Sequence, residues 1–249
     1  MVTQFKDNDF EKEFYVYDKV MADADFNKIY FIPELESKLD FVNLQFKNPS
    51  PEIRSEVAKV LRLIQNEIRR ELDEVGHDKF KHLDHLTPER FDSLTYTASE
   101  DFMQNLKRFY INRYNKADQE KDRKVNRLTQ TAQKEKEFAE FRESYENDAI
   151  SALVKNMEES RRIIEKDGKF VQKIYPVYKD PDPDHMVDFD AQFYMPRKHF
   201  LNQNIDTFYF NLAVIWSMTF VLAFALYHEV LLKIIDGLGN LSNPLPKRM

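Results

Sequence analysis

Two clusters of histidine and aspartate contain the residues of this sequence whose types could bind a metal ion. The first cluster consists of His77, Asp78, His82, Asp84 and His85. If residues 81–85 were helical, His82 and His85 would share a face at the i, i+3 spacing that metal-binding pairs on helices can use. The surrounding residues are typical of turns, and no catalytic glutamate motif accompanies the pair. We interpret the cluster as a loop, with a metal site on His82 and His85 as the alternative.

The second cluster is acidic and consists of Asp180, Asp182, Asp184, His185, Asp188 and Asp190. Carboxylates at this density could bind calcium, but an EF-hand loop needs a central glycine and a terminal glutamate, and neither is present. Alternating Asp and Pro favour a rigid exposed turn. We therefore predict a turn and keep Asp182 and Asp184 as weaker candidates for metal ligands. Neither cluster pairs with a nucleophile, so no catalytic residue is predicted, and a metal-dependent enzyme is the third-ranked hypothesis.

Composition and missing motifs narrow the classes of function. The chain contains no G-x-x-x-x-G-K-[ST] and no G-x-G-x-x-G pattern, so it carries no recognisable nucleotide or cofactor site of its own. Its 249 residues include no cysteine, which excludes disulfides, thiolate metal sites and cysteine nucleophiles. The net charge of −6 implies no strongly basic face, which argues against a nucleic-acid partner. We expect no enzymatic activity from this chain alone.

A continuous apolar stretch near the C-terminus is the strongest structural signal. No charged residue occurs between Asp206 and Glu229, and residues 207–227 read TFYFNLAVIWSMTFVLAFALY. A helix of this length is about 31 Å long, close to the roughly 30 Å hydrocarbon core of a bilayer. We predict a transmembrane helix over residues 207–228, with aromatic residues at both ends as interfacial belts. A buried core helix is the alternative.

Three polar residues lie inside this stretch, Asn211, Ser217 and Thr219. Polar side chains are costly against lipid but form hydrogen bonds between helices, so we expect these three to pack against transmembrane helices supplied by other segments. A weak excess of Lys and Arg after the span predicts a cytoplasmic tail over residues 229–249, which leaves residues 1–206 outside the cytoplasm. The opening MVTQFKDNDFEKEF lacks a signal-peptide pattern, so we expect another segment to export this domain.

Residues 1–206 are predicted to form a mainly α-helical extracytoplasmic domain with long charged helices. The clearest helix runs from Ser50 to Val75, with Ser50 as its cap, Pro51 in its first turn and an apolar stripe at i, i+3 and i+4 spacing. Gly76 then supplies the stop. Because the opposite face is charged, this helix should pack on the core of its own domain and not in lipid.

Further helices are predicted from cap residues and from a long stretch without proline or glycine. Helix starts are expected at Thr87 and at Ser99, where polar residues precede acidic ones. The stretch from Ser99 to Gly168 would be too long as a single straight helix, so we predict two or three helices packed back on each other. We expect breaks near residues 115–118 or 147–148.

The remaining segments are predicted from composition. Residues 1–48 are rich in aromatic residues and are interpreted as helical with irregular or β pieces near Pro33. The charged run 116–124 is interpreted as a solvated helix face or tip. β-branched and aromatic residues alternate in residues 169–179 and predict a strand. With a second short extended run at residues 191–194, this strand predicts a small β-hairpin near the membrane.

Three segments resemble ATP-binding-cassette exporters of the ABCG-like, Bacteroidetes type. The opening MVTQFKDNDFEKEFYVYDK, which contains QFKDN at residues 4–8, resembles the segment that follows the penultimate membrane helices in these permeases. Residues 172–200 are similar to the part of an enlarged external domain that lies next to the membrane. Residues 209–238 resemble the last transmembrane helix and its cytoplasmic end.

The resemblance implies that the chain is the C-terminal part of an exporter permease in the inner (cytoplasmic) membrane. Its partners would be the lipid bilayer, further transmembrane helices and an ATPase domain of the same transporter, assembled as a homodimer. ATP and Mg²⁺ would bind that ATPase domain, whose phosphate loop and signature motif are missing from this sequence. The external domain would gate substrate release or dock a periplasmic partner during alternating access.

A second hypothesis comes from a different class of protein. The long charged helices could serve as a protein-interaction surface on a stand-alone, membrane-anchored binding or scaffold protein. The complete reading frame discriminates the two hypotheses, because an upstream ATPase and five further membrane spans in frame favour the exporter.

Overall fold

The structure is a computed structural model that describes residues 2–183, 186, 192–230 and 233. The chain divides into two compact units, Met1–Asp180 with Gln192–Pro196 and Pro181–Ala191 with Arg197–Met249. The described residues are mainly helical, with two short antiparallel strand pairs and one apolar helix near the C-terminus. The predicted mainly α fold class is therefore confirmed, with two hairpins in place of the single expected one.

The first unit contains seven α-helices and one strand pair within the part of the chain that the structure describes. The helices are α1 (Val2–Lys6), α2 (Asp9–Phe26), α3 (Ile32–Gln45), α4 (Pro51–Val75), α5 (Ser93–Leu128), α6 (Ala132–Tyr145) and α7 (Asp148–Lys155). The strands are β1 (Ile163–Lys166) and β2 (Lys169–Gln172). Short 3-10 turns lie at His77–Lys79, Leu83–His85 and Pro176–Tyr178.

The N-terminal region is helical, without the β pieces that the sequence suggested. Helix α2 continues into a π-helical turn at Asn27–Phe31, and α3 follows directly. In that turn the amide of Ile32 donates to the carbonyl of Asn27, five residues earlier. Pro33 lies at the start of α3, where its missing N–H costs least. The proline therefore marks a widened helical turn and does not end a strand.

Helix α4 confirms the clearest prediction of the sequence, with two differences at its ends. Pro51 occupies the first turn, but the Ser50 side chain makes no capping hydrogen bond. Gly76 ends the helix at φ 104°, which favours glycine although it lies outside the left-handed helical region. A Cβ at Gly76 would also lie 2.9 Å from Oδ1 of Asp78. The stop thus depends on glycine for both its backbone angle and its space.

Helix α5 overturns three local predictions. It begins at Ser93, where Oδ1 of Asp92 accepts a hydrogen bond from the amide of Thr95 at 2.8 Å, whereas Thr87 lies in a turn. Ser99 is buried inside the helix and its hydroxyl donates to the Thr95 carbonyl at 2.7 Å, so it is not a cap. The helix also runs unbroken through residues 115–118.

The helical stretch instead breaks after Leu128 and again at Asn147, which caps α7. The second break agrees with the prediction near residues 147–148, and the division into three helices is confirmed as well.

The charged run 116–124 is only partly solvated. Helix α5 packs along α2, and Lys121 and Lys124 form ion pairs with Asp18 and Glu13 of that helix. These lysines act as bridges because their ammonium groups meet acidic side chains at the α2–α5 contact. The simple interpretation as a solvated face was therefore incomplete.

The main core of the first unit lies between α3, α4 and α5. Its central side chains are fully or almost fully buried and are Leu35, Leu39, Leu61, Ile64, Ile68, Met103 and Leu106. Burying one such side chain contributes roughly 1.5–3 kcal/mol. The ring of Phe170 from β2 joins this core and meets Phe31 edge-on at a centroid distance of 6.0 Å. Packing of the α4 apolar stripe thus organises the domain.

Strands β1 and β2 form a hairpin where the sequence suggested the end of a helical stretch and a lone strand. They pair antiparallel around a two-residue turn in which Asp167 and Gly168 both have positive φ. Asp-Gly is a favoured pair for such turns. The hairpin binds α4, because Asn66 donates to the Gly168 carbonyl at 3.2 Å and Glu67 accepts from the Phe170 amide at 2.7 Å.

The second unit contains strands β3 (Arg197–Phe200) and β4 (Gln203–Asp206) and helix α8 (Thr207–Tyr227). The hairpin predicted from residues 169–179 and 191–194 is wrong in its residues. Phe193 and Tyr194 lie in a turn, Ala191 is outside the described residues, and β3 and β4 lie further along the chain. The β3–β4 hairpin, which the sequence did not predict, directly precedes the apolar helix.

Candidate functional site

Helix α8 is the described feature with the clearest functional meaning. It begins at Thr207, as predicted, and ends at Tyr227, one residue before the predicted end at residue 228. Asp206 caps the helix by accepting from the Phe208 amide at 2.9 Å. The 18 most apolar consecutive residues of this helix have a mean hydropathy of 1.8, and none of them is buried within the protein. A helix that is apolar on every side and exposed matches the length and composition of a membrane span.

The β3–β4 hairpin leads into α8 without a linker. Its two-residue turn is made by Leu201 and Asn202, both with positive φ. Across the junction, the ring of Phe200 contacts that of Phe210 at 5.8 Å. The ammonium group of Lys198 lies 5.4 Å from the Phe210 ring centroid and donates to Oδ1 of Asn211 at 3.0 Å. The first turn of α8 is therefore fastened to the hairpin by aromatic, cationic and polar contacts.

The three polar residues inside the span have hydrogen-bond partners in this chain. Asn211 accepts from Lys198, Ser217 donates to the Ala213 carbonyl at 2.7 Å, and Thr219 donates to the Ile215 carbonyl at 2.8 Å. Back-bonding of this kind lets a hydroxyl reside in a helix without a second helix. These residues are thus compatible with a single span, and their packing against other transmembrane helices stays a prediction.

The histidine cluster is arranged as packed rings rather than as converging ligands. Residues 82–85 are not α-helical, and the His82 and His85 rings meet edge-on at 5.4 Å. His77 lies apart and its Nε2 is 3.2 Å from Oδ1 of Asp73. Among the described residues, no group of three or more His, Cys, Asp or Glu side chains is placed to hold a metal ion.

The acidic cluster is only partly described. Asp180 belongs to the first unit and pairs with Lys19 at 2.9 Å, whereas Asp182 is exposed in a segment without regular secondary structure. Asp184, His185, Asp188 and Asp190 lie outside the described residues. Asp182 is therefore not part of a metal-binding group among the described residues, and the candidate Asp184 lies outside them.

Sequence reasoning missed two buried carboxylates on α4, Glu67 and Glu71. Glu71 accepts a hydrogen bond from the Tyr110 hydroxyl at 2.6 Å. Burial raises the pKa of Glu71 to about 7, against the opposing effects of the Tyr110 hydrogen bond and of Arg70. Glu67 binds the β2 backbone and forms an ion pair with Arg70 at 3.4 Å. Both residues lie at the helical spacing of the apolar stripe, and this spacing is the signal from which their burial could have been predicted.

Comparison with known proteins adds no relative. No protein-family model, no curated protein and no solved structure matches the chain. The functional argument therefore depends on the chain itself: a helical domain, a hairpin and one helix long and apolar enough to cross a membrane.

Proposed function

We propose that this chain is the C-terminal part of the membrane permease of an ABC exporter. Residues 1–206 form its extracytoplasmic domain, residues 207–228 its last transmembrane helix, and residues 229–249 its cytoplasmic tail. The domain gates release of the exported substrate or docks a periplasmic partner, while ATP hydrolysis on a separate domain drives alternating access. Two copies work as a homodimer in the inner membrane.

The observation that carries the proposal is helix α8, apolar on all sides and joined directly to a folded region. A membrane span of this kind needs lipid or other helices around it because its exposed side chains gain nothing from water. The resemblance of residues 4–8, 172–200 and 209–238 to ABCG-like exporters supplies the class of transporter.

A stand-alone membrane-anchored scaffold is the second candidate, and helix α6 favours it. None of the described side chains of α6 is buried, and the helix carries many charged residues. Apart from Phe138 and Phe141, which pack on the Phe10 ring of α2, the side chains of α6 are exposed and offer a charged surface on which a partner protein could dock.

The test begins with the complete reading frame around this segment. The exporter requires, in frame and upstream, a phosphate-binding loop and five further membrane spans, and the purified product must hydrolyse ATP. A frame that begins at Met1 and is flanked by unrelated genes contradicts the exporter and leaves the scaffold.

Topology is tested with single-cysteine variants, which are clean because the chain has no cysteine of its own. In intact cells, a membrane-impermeant maleimide should label Gln130→Cys in the domain but not Lys233→Cys beyond α8. Both residues are exposed, so accessibility alone does not separate them. Labelling of Lys233→Cys in intact cells, or protection of Gln130→Cys, overturns the proposed orientation.

A further inference from the structure

A cavity of about 520 Å³ lies inside the first unit, between α2, α5, α6, α7 and the 3-10 turn at Pro176–Tyr178. Aromatic side chains form much of its wall, namely Phe10, Phe14, Tyr114, Phe138, Tyr175 and Tyr178. Pockets that bind small molecules have volumes of roughly 300–1,000 Å³ and are lined by aromatic groups with a few polar ones. The cavity has the size and lining of a ligand site.

The aromatic wall is held in place by contacts between helices. The Phe10 ring lies 5.1 Å from Phe14 and 5.9 Å from Phe138, which joins α2 to α6. Tyr178 is held on the other side by the ring of Tyr15 at 5.3 Å. These contacts position the ring faces before any ligand arrives, which lowers the entropic cost of binding.

Most of the charged groups of the cavity already have partners. Three carboxylates on its wall form ion pairs, Asp18 with Lys121, Asp25 with Lys28 and Glu146 with Arg142. The ammonium group of Lys155 lies 5.4 Å from the centroid of the Phe5 ring. The cations of the wall are thus engaged, and an anionic ligand would have to displace an existing contact.

Glu11 is the exception among the carboxylates. Its backbone amide donates to Oδ1 of the helix cap Asn8 at 2.8 Å, which fixes the residue in the first turn of α2. Its Oε2 atom is buried and has no hydrogen-bond partner among the described residues. Burial raises the pKa of Glu11 to about 7, although the charge of Lys155 acts in the opposite direction. The Oε2 atom itself has almost no accessible surface, but Glu11 is the wall carboxylate that forms no ion pair among the described residues, and an ammonium ligand in the cavity could supply one.

A second residue of the wall, Tyr178, also has a polar atom without a partner among the described residues, although that atom has almost no surface in the cavity. The hydroxyl of Tyr178 is buried and makes no hydrogen bond within the described part of the chain, and the side chain is only 4% exposed. A phenol in such an environment usually finds a partner. Two residues that line one cavity, Glu11 and Tyr178, therefore both have unsatisfied polar atoms.

We propose that this cavity binds an organic ammonium ion with an apolar, aromatic-sized body. The protonated amine pairs with the Glu11 carboxylate, while the body packs on the phenylalanines and on the ring of Tyr178. Aromatic ring faces also attract cations directly. The site belongs to the helical domain by itself and does not depend on the proposed place of the chain in a transporter.

The test uses the full chain in nanodiscs of zwitterionic lipid and three probes that share one apolar body. Diphenylpropylamine is cationic near neutral pH, diphenylpropionate is anionic and diphenylpropanol is neutral. Isothermal titration calorimetry should show binding of the amine in preference to both other probes. Glu11→Gln keeps the shape of the side chain but removes its charge, and we expect it to weaken amine binding at least tenfold, since hydrogen bonds to charged groups contribute roughly 1.5–3 kcal/mol.

Two further variants separate the contributions. Tyr178→Phe keeps the ring and removes only the hydroxyl, which has almost no surface in the cavity, so it should leave amine binding nearly unchanged. Glu13→Gln makes the same chemical change as Glu11→Gln on the same helix, at a residue that does not line the cavity, and should leave binding unchanged. Circular dichroism melting checks that each variant is folded.

Three results would overturn the proposal. The first is equal amine affinity in the parent chain and in Glu11→Gln, which would assign binding to the lipid. The second is tighter binding of diphenylpropionate than of the amine, which would make Lys155 the recognition group of an anion site. The third is no binding of any probe to a folded parent chain.

Discussion

Two long helices of this protein, α4 and α8, differ in how their apolar residues are arranged and in whether the protein buries them. Helix α4 has 25 residues and places one apolar stripe in the core, with charged residues on the outer face. Helix α8 has 21 residues, is apolar on all sides and buries none of them in the protein. The comparison teaches that the arrangement of apolar residues, and not only their number, determines which solvent a helix is built for.

The difference extends to the polar groups. Helix α4 buries the carboxylates of Glu67 and Glu71, each with a specific hydrogen-bond donor. Helix α8 contains only uncharged polar groups, and the hydroxyls of Ser217 and Thr219 donate to the backbone of the helix itself. Charged groups are tolerated in a protein core when other elements supply partners, whereas a helix in lipid must satisfy its polar groups internally.

The largest expected effect comes from placing a carboxylate in the core face of α4. Ile64→Asp puts an unpaired charge where the native side chain is fully buried, and should destabilise the domain by more than about 4 kcal/mol. Far-ultraviolet circular dichroism of the detergent-solubilised chain should show loss of the cooperative melt. Melting like that of the parent chain would show that α4 does not organise the core.

The same substitution in α8 should have a different consequence. Ile215→Asp leaves the domain melt unchanged because Ile215 is 62% exposed, but it should oppose membrane insertion by about 3 kcal/mol. Trp216 is the sole tryptophan of the chain and lies in α8, so brominated lipids should quench its fluorescence in the parent and less in the variant. Ile215→Val is the matched control, and an unquenched parent chain would contradict a membrane span.

A pH titration sharpens the comparison through the buried acid of α4. The pKa of Glu71 is about 7 in the folded protein against 4.5 as its ordinary value, so between these values the folded state holds more protons than the unfolded state. Stability should therefore fall as pH rises from about 4.5 to above 7, by up to about 3 kcal/mol.

Glu71→Gln can still accept from Tyr110 and should remove most of this pH dependence. Urea titrations of both chains across the same pH range measure the effect. The substitution Glu135→Gln, at an exposed acid of α6, is the control and should leave the slope unchanged. If the parent chain and Glu71→Gln had the same slope, another group would cause the pH dependence. Glu11 is partly exposed, and because its pKa is also raised to about 7, it too makes stability fall as pH rises.

The smallest expected effect concerns the first turns of the two helices. Asp206 accepts a backbone hydrogen bond at the start of α8, whereas the Ser50 side chain makes none at the start of α4. Asp206→Ala should cost about 1 kcal/mol locally, roughly a fivefold loss of amide-exchange protection at Phe208, and Ser50→Ala should cost close to nothing. Hydrogen exchange measures both, and equal losses would remove the distinction between the caps.

Signals between residues close together in sequence determined the bounds of α4 and α8. Thr207–Tyr227 and Pro51–Val75 were predicted almost to the residue because apolar periodicity, proline and glycine are local signals. Local signals failed at Thr87 and Ser99. Helix α5 begins at Ser93 after its cap Asp92, and because it packs along α2 and α3 it continues through Ser99, whose side chain is buried.

Only the tertiary structure decided which polar groups are buried and what they meet. The pair of Glu71 with Tyr110 joins residues 39 positions apart, and the contact of Glu67 with Phe170 joins residues 103 positions apart. The cavity with Glu11 and Tyr178 likewise needs helices from both ends of the domain. No local pattern encodes such pairs, because burial and hydrogen bonding across the domain arise only when distant segments pack together.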